Sequence, residues 1–279
     1  MTFVSITDCN QWKFILPNLL VLEGFEKSYV YYIFGNNRYT VQQIRSLVNK
    51  LDITYGIIYI DTIPSFFDTF DITPTETNHS WITPTTMDRF VIPLHTNIKK
   101  FVWLDCDTLI TNSNIFDLKD FETSAKGIAA VPTDVLLHDH IVYFSKASVL
   151  LDIAKYNSST FNAGVCLIDC DKLNSNNYFD FIKEVFERSE GAYINDEVIL
   201  NLYDQEYNEL PIHYNCMTHK PIEVINPSVV HFSGKDYKPW CNYVYKQGYY
   251  LKYYKLWEYY YLTLADYASS HVYNTLKLK

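Results

Sequence analysis

Two aspartates one position apart, Asp105 and Asp107, come directly after the apolar run 101–104 in KKFVWLDCDTLI. An apolar run of this kind reads as a buried strand, and the residues just past its end lie at the carboxyl edge of a sheet, where open α/β sheets bind their ligands. Two carboxylates there can both reach one divalent cation, and hard oxygen donors select magnesium or manganese. Such a cation neutralises a diphosphate. Solvated loop aspartates are the alternative. A distant histidine, His231, ends a second apolar run, SVVHF. A neutral imidazole completing an oxygen-rich site suits manganese better than magnesium, while a core histidine is the bland reading. Close behind it, Gly234 would let the backbone approach a diphosphate and Lys238 would compensate its charge.

A rival chemistry uses the same two carboxylates. Phosphatases of the haloacid-dehalogenase type also end a strand in Asp-x-Asp, with one aspartate as nucleophile and the other as acid and base. Their motif continues with Gly-Thr near the first strand, whereas Thr108 comes directly after Asp107 here and several α/β elements precede it. Both departures weigh against a phosphatase.

The elements that must position these residues can be read from periodicity. Strand-like runs at 2–7, 29–34, 56–60, 101–104 and 127–131 alternate with helical stretches, which predicts parallel strands with covering helices and a Rossmann-like first half. Residues 40–51 place Val41, Ile44, Leu47 and Val48 at helical spacing. No G-x-G-x-x-G comes after the first strand, so a dinucleotide is not expected to bind in the usual way. Beyond residue 160 the reading is a strand at 161–170, helices at 176–188 and 197–203, and short strands at 210–213 and 229–232. The stretch 249–267 spaces Tyr250, Tyr253, Tyr254, Trp257, Tyr260, Tyr261 and Leu264 three and four residues apart, an amphipathic helix for core packing or a dimer interface. There is no internal repeat.

Composition bounds the rest. The 279 residues are 48% hydrophobic and 20% charged, which suits one α/β domain or a domain with a small lobe and argues against disorder. A formal net charge of −9 argues against a broad hold on nucleic acid or on an anionic membrane. The cysteines Cys9, Cys106, Cys166, Cys170, Cys216 and Cys241 form no Cys-x-x-Cys pair and read as free buried thiols in a reducing compartment. The start MTFVSITDCNQW lacks a basic segment ahead of a long apolar run, and no apolar run approaches the ~20 residues of a membrane span. A cytoplasmic protein without membrane contact is expected.

Taken in order, NHSWITPTTMDRF, the Asp-x-Asp motif, FNAGVCLIDCDKLN, INDEVILNLY and VVHFSGKDYKPW resemble glycosyltransferase family 8 over about residues 1–242. The chain looks most like the glycogenin branch and is also similar to bacterial lipopolysaccharide galactosyltransferases. The resemblance implies an α/β GT-A nucleotide-diphospho-sugar transferase fold over 1–242, a Rossmann-like mixed sheet with flanking helices. The aromatic helix of 243–279 would then pack on that domain or at a dimer interface. It implies a retaining transferase that uses a UDP-sugar, glucose first, with Mn2+ (or Mg2+) held by Asp105, Asp107 and His231. The uridine site would lie at Ile6, Asp8 and Trp12, and the His-x-x-Gly…Lys-Pro-Trp pattern assigns Gly234 and Lys238 to the diphosphate. One more residue separates that glycine and lysine than in the family pattern, which leaves the phosphate role open between Lys235 and Lys238. Asp196 and Arg89 take the catalytic positions, Asp196 facing the donor sugar and Arg89 the diphosphate or sugar. From spacing alone, Asp196 also reads as a helix N-terminal carboxylate, and Arg89 as the partner of Asp88 or of a neighbouring helix. Asn162, Ala163 and Gly164 match a turn that touches the sugar, and Glu197 stands where the family more often has Gln, adding negative charge there. The acceptor is a protein tyrosine, glucosylated on the enzyme itself, or a separate protein or glycan. The resemblance further implies a homodimer.

Overall fold

The computed structural model describes residues 1–8, 10–72, 84–142, 148–155, 157–189, 194–220, 222–240 and 250–277. Its strands are Thr2–Thr7 (β1), Tyr29–Gly35 (β2), Gly56–Thr62 (β3), Lys100–Leu104 (β4), Thr108–Ile110 (β5), Ile128–Leu136 (β6), Ser159–Asp169 (β7), Asn208–Glu209 (β8), Cys216–Met217 (β9) and Val229–His231 (β10). Its α-helices are Leu16–Gly24 (α1), Arg38–Val48 (α2), Phe66–Phe70 (α3), Ile92–His95 (α4), Leu137–His140 (α5), Cys170–Ser175 (α6), Tyr178–Arg188 (α7), Asp196–Tyr203 (α8) and Leu251–Lys277 (α9). The chain divides into two units, one formed by Met1–Thr62, Leu104–Phe116 and His213–Lys279, the other by Ile63–Trp103 and Asp117–Ile212.

In the first unit β2 lies between parallel neighbours, in the order β3-β2-β1, as the alternating apolar runs predict. Helix α2 forms where the spacing indicates: Asn37 accepts the Thr40 N–H at 2.9 Å, an N-cap, and Val41, Ile44, Leu47 and Val48 face the interior. A second sheet in the order β5-β10-β9 carries the segment after Asp107. Asn18 of α1, fully buried, fixes it: its amide donates to the Thr108 carbonyl at 3.1 Å and its oxygen accepts from Ile110 N at 2.8 Å. Helix α9 runs ten residues beyond the expected end at 267 and buries Tyr253, Tyr254, Trp257 and Leu264 within this unit. Phe14 stacks on Trp240 at 3.8 Å, Trp257 stacks on Tyr261 at 4.9 Å, and Phe232 meets Tyr254 at 4.8 Å. Of the described stripe, Tyr250, Tyr253, Tyr254, Trp257 and Leu264 are buried, and Tyr260 and Tyr261 are half-buried.

In the second unit the strand order is β4-β7-β6-β8. Here β6, the run at 127–131, runs antiparallel to β7 and parallel to β8, so it departs from the parallel strands that alternation predicts, and the sheet is mixed as the family resemblance implies. Leu137 N donates to the Ser158 carbonyl at 2.8 Å, closing the end of β6 onto the start of β7 as an arch and reversing the chain. The short strand expected at 210–213 is also displaced. Leu210 N donates the last ladder bond to Ala130 at 2.9 Å, and Pro211, which has no N–H, ends the pairing before a 3-10 turn at Ile212–Tyr214. Helix α7 starts at Tyr178, two residues after the expected 176, behind Asn177 in the left-handed region at φ 54°.

A carboxylate of this unit makes stability depend on pH. Asp88 Oδ1 accepts the Phe66 N–H at the start of α3 at 2.8 Å. Burial pushes its carboxyl up from 3.8 to about 7, against the pull of that N–H and with repulsion from Asp68. Between 3.8 and about 7 the folded protein holds a proton that the unfolded chain has released, so this group lowers stability as pH rises through that window, and not above it. Asp88→Asn is therefore expected to gain stability relative to the parent as pH rises from about 4 to about 7, by a few kcal/mol on the order-of-magnitude conversion of such shifts. Thermal melts of both proteins across this range test it; parallel curves would refute it.

Candidate active site

Asp105 and Asp107 sit where β4 ends and β5 begins, and their turn is stitched to β1. Ser5 donates to the Leu104 carbonyl at 2.6 Å, and the Cys106 thiol donates to the Ile6 carbonyl at 3.2 Å. Burial pushes the Cys106 thiol well above its ordinary range, so the residue between the aspartates acts as an apolar plug. Cys166, Cys170 and Cys216 are likewise buried thiols outside any disulfide, while Cys9 and Cys241 lie outside the described residues.

Antiparallel pairing brings in the histidine. His231 of β10 is opposite Thr108 of β5, and Phe232 N donates to the Asp107 carbonyl at 2.9 Å. Ligand atoms of Asp105, Asp107 and His231 consequently lie within 4.8 Å of one another. Buried Asn215 presents its Oδ1 3.1 Å from His231 Nδ1. A carboxamide oxygen accepts, so this contact makes Nδ1 the donor and turns Nε2 toward Asp107, 3.4 Å from its Oδ1. Two carboxylates and an imidazole oriented with Nε2 toward them fit a divalent cation.

Lys238 Nζ forms an ion pair with Asp107 Oδ2. Burial alone raises the Asp107 carboxyl, but Lys238 and then His231 outweigh it and hold it well below the usual carboxylate range. The lysine expected to face a diphosphate thus already faces a carboxylate of the candidate metal site. Gly234 has φ 85°, a conformation open to glycine and costly to other residues. Lys235 is next in the chain, and its side chain lies outside the described residues. On the proposed uridine side, Ile6 is buried, and Asp8 Oδ1 accepts from Asn10 N at 2.8 Å and Gln11 N at 3.0 Å, capping its own turn. Trp12, half-buried, opens the 3-10 turn Trp12–Phe14.

The second unit gathers the remaining predicted residues into one network. Arg89 is buried beneath the Trp103 ring, its guanidinium carbon 4.2 Å from the centroid. It pairs with Asp196 Oδ2 at 2.8 Å and donates to the Ala163 carbonyl at 2.9 Å. Its carboxylate partner is on α8; Asp88 instead caps α3. Asp196 opens α8 behind Asn195, whose side chain accepts from Val198 N at 2.8 Å. Glu197 Oε2 accepts from Asn162 Nδ2 at 2.8 Å and Ala163 N at 3.1 Å, and Gly164 N donates to Asn162 Oδ1 at 3.1 Å.

The profile described as Glycosyl transferase family 8 matches residues 24–243 of the chain. The chain belongs to glycosyl transferase family 8. Solved structures of similar fold include the galactosyltransferase LgtC in complex with donor and acceptor sugar analogues, at 18% identity and TM-score 0.68, covering 92% of this chain and 95% of LgtC. An active-site mutant of LgtC with glutamine replaced by glutamate superposes at TM-score 0.69 and 17% identity, with the same 92% and 95% coverage. The glycosyltransferase GlyE of Streptococcus pneumoniae TIGR4 matches at 20% identity and TM-score 0.60, over 97% of this chain and 64% of GlyE. No curated protein matches the sequence. The fold is GT-A, and the protein is a glycosyltransferase. Among the described residues no helix is long and apolar enough to cross a membrane.

Three residues important to this family 8 site carried no signal in the sequence. Asn18 and Asn215 lie in no motif, and each matters only because it reaches a strand or ring distant in the chain. His140 belongs to a four-residue helix, and its Nε2 lies 3.2 Å from Glu197 Oε1. The part of the family signature at 78–83 lies outside the described residues.

Proposed function

We propose that this glycosyltransferase moves a hexose from a UDP-sugar, UDP-glucose first, with retention of configuration and with manganese as the preferred cation over magnesium. The observation that carries the reading is the convergence of Asp105, Asp107 and the oriented His231 imidazole within 4.8 Å. A divalent cation bound there supplies charge neutralisation of a departing diphosphate. Lys238, with Lys235, adds positive charge, and Gly234 permits close backbone approach. Ile6, Asp8 and Trp12 serve the uridine: the second Asp8 oxygen accepts from the base and the indole stacks on it.

On the sugar side, Asp196 binds hydroxyls and steadies positive charge at the anomeric carbon, with Arg89 holding it in place and Asn162, Ala163, Gly164 and Glu197 shaping the turn. Neither acidic residue is presented as a bare nucleophile, since Asp196 pairs with Arg89 and Glu197 accepts hydrogen bonds at Oε2 and meets His140 at Oε1. This supports same-face displacement, in which the leaving group and a positioned acceptor do the work. LgtC was solved with an acceptor sugar analogue, which favours a separate glycan acceptor over an enzyme tyrosine. Buried free thiols support a cytoplasmic setting, and the family resemblance supports a homodimer.

The test is UDP release from a panel of UDP-sugars with manganese, magnesium or chelator, with candidate glycans added and the protein mass recorded. Manganese-dependent release, fastest from UDP-glucose, is expected. Hexose increments on glycan or on protein then identify the acceptor. Absence of release from every donor, with glycans present, would sink the reading.

A further inference from the structure

The part of β7 carrying Asn162, Ala163 and Gly164 bulges out of register with β6. Ala130 pairs with Cys166 and Pro132 with Phe161, so the single residue Val131 on β6 spans residues 162–165 on β7. A bulge of this size takes backbone groups out of register with β6, and a buried one that loses its partner there must be satisfied elsewhere. Glu197 of α8 does much of this, with Oε2 accepting from both Ala163 N and Asn162 Nδ2. An ionised carboxylate has only acceptors, so its other oxygen also needs a donor when held in a protein interior. His140 of α5 faces that oxygen: its ring is 4% exposed and its Nε2 lies 3.2 Å from Glu197 Oε1, the carboxylate being 23% exposed.

We propose that His140 is a positioning residue for the donor sugar. It holds Oε1 of Glu197, which keeps Oε2 on Asn162 and Ala163 and thereby fixes the bulge that meets the sugar. The chain of contact runs from α5 through α8 to β7, within one unit. The inference rests on the reading of Asn162–Gly164 as sugar-binding given under Proposed function. Its place in the network sets its signature: loss of His140 should weaken recognition of the sugar and leave recognition of the nucleotide intact.

Calorimetric titration of UDP, UDP-glucose and UDP-galactose, each with manganese, into the parent, His140→Ala and His140→Gln proteins reads this directly. His140→Ala is expected to bind the preferred UDP-sugar about 10-fold more weakly, as for a lost charge-assisted bond, with its UDP affinity unchanged. The glutamine amide can present an N–H near the imidazole Nε2 position, so His140→Gln should recover most of the loss. His140→Asn, polar but too short to reach, provides the same contrast with His140→Gln should the alanine variant not fold. Parent-like affinities in the alanine and asparagine variants, or equal losses for UDP and UDP-sugar, would overturn the proposal. A parent that binds none of the three nucleotides would instead overturn the nucleotide-sugar reading, and the role of His140 with it.

Discussion

Substituting Asp107 by alanine is expected to cut manganese-dependent UDP release by roughly 10³-fold, because the site would lose a proposed metal ligand, and a Lewis-acid contribution of this kind amounts to several kcal/mol. Asp107 is tied into the site on three sides. One oxygen faces His231 and the other Lys238, and its backbone carbonyl accepts from Phe232. The loss should therefore exceed that of Asp105→Ala, whose residue is only half-buried. Manganese titration monitored by calorimetry gives a readout independent of turnover, and the variant should show no stoichiometric binding. Asp107→Asn separates charge from packing: it keeps the side-chain volume and should lose nearly as much activity. Retention of more than a tenth of parent turnover with an unchanged manganese response would remove the triad from the mechanism.

The second large effect is expected from Arg89→Ala, and on stability as well as activity. The guanidinium lies against Trp103 and bonds both the Asp196 carboxylate and the Ala163 carbonyl. The paired side chains are 4% and 12% exposed, so removing the cation leaves a carboxylate in a poorly hydrated place. Breaking a buried pair from one side costs about 3–5 kcal/mol, whereas replacing both partners can be close to neutral. Urea unfolding should accordingly show Arg89→Ala destabilised by that amount, with the double variant Arg89→Ala, Asp196→Asn recovering much of it. Arg89→Lys should rescue little, since one ammonium cannot reproduce two directed bonds and a stacked plane. A single-variant cost below about 1 kcal/mol, as for surface pairs, would show that the pair is solvated.

The sequence alone carried the local half of this protein. Apolar runs placed β1, β2, β3 and β4, helical spacing placed α2, and the aspartates at the end of β4 marked the chemistry, because side-chain period and strand-end position are properties of a few neighbouring residues. Ordered motifs likewise named His231, Arg89, Asn162 and Asp196 one by one. What these residues do to one another was decided by tertiary structure. His231 becomes a partner of Asp107 only through the antiparallel pairing of β10 with β5, and the direction of β6 depends on an arch closed between Leu137 and Ser158. Arg89 chose Asp196 over its sequence neighbour Asp88, which turned instead to Phe66. Asn18, Asn215 and His140 hold no recognisable position in the chain and gain their roles from buried polar groups that need a partner wherever folding leaves them. Local periodicity decides which elements form; the demand that every buried donor and acceptor be satisfied across long chain separations decides which side chains meet.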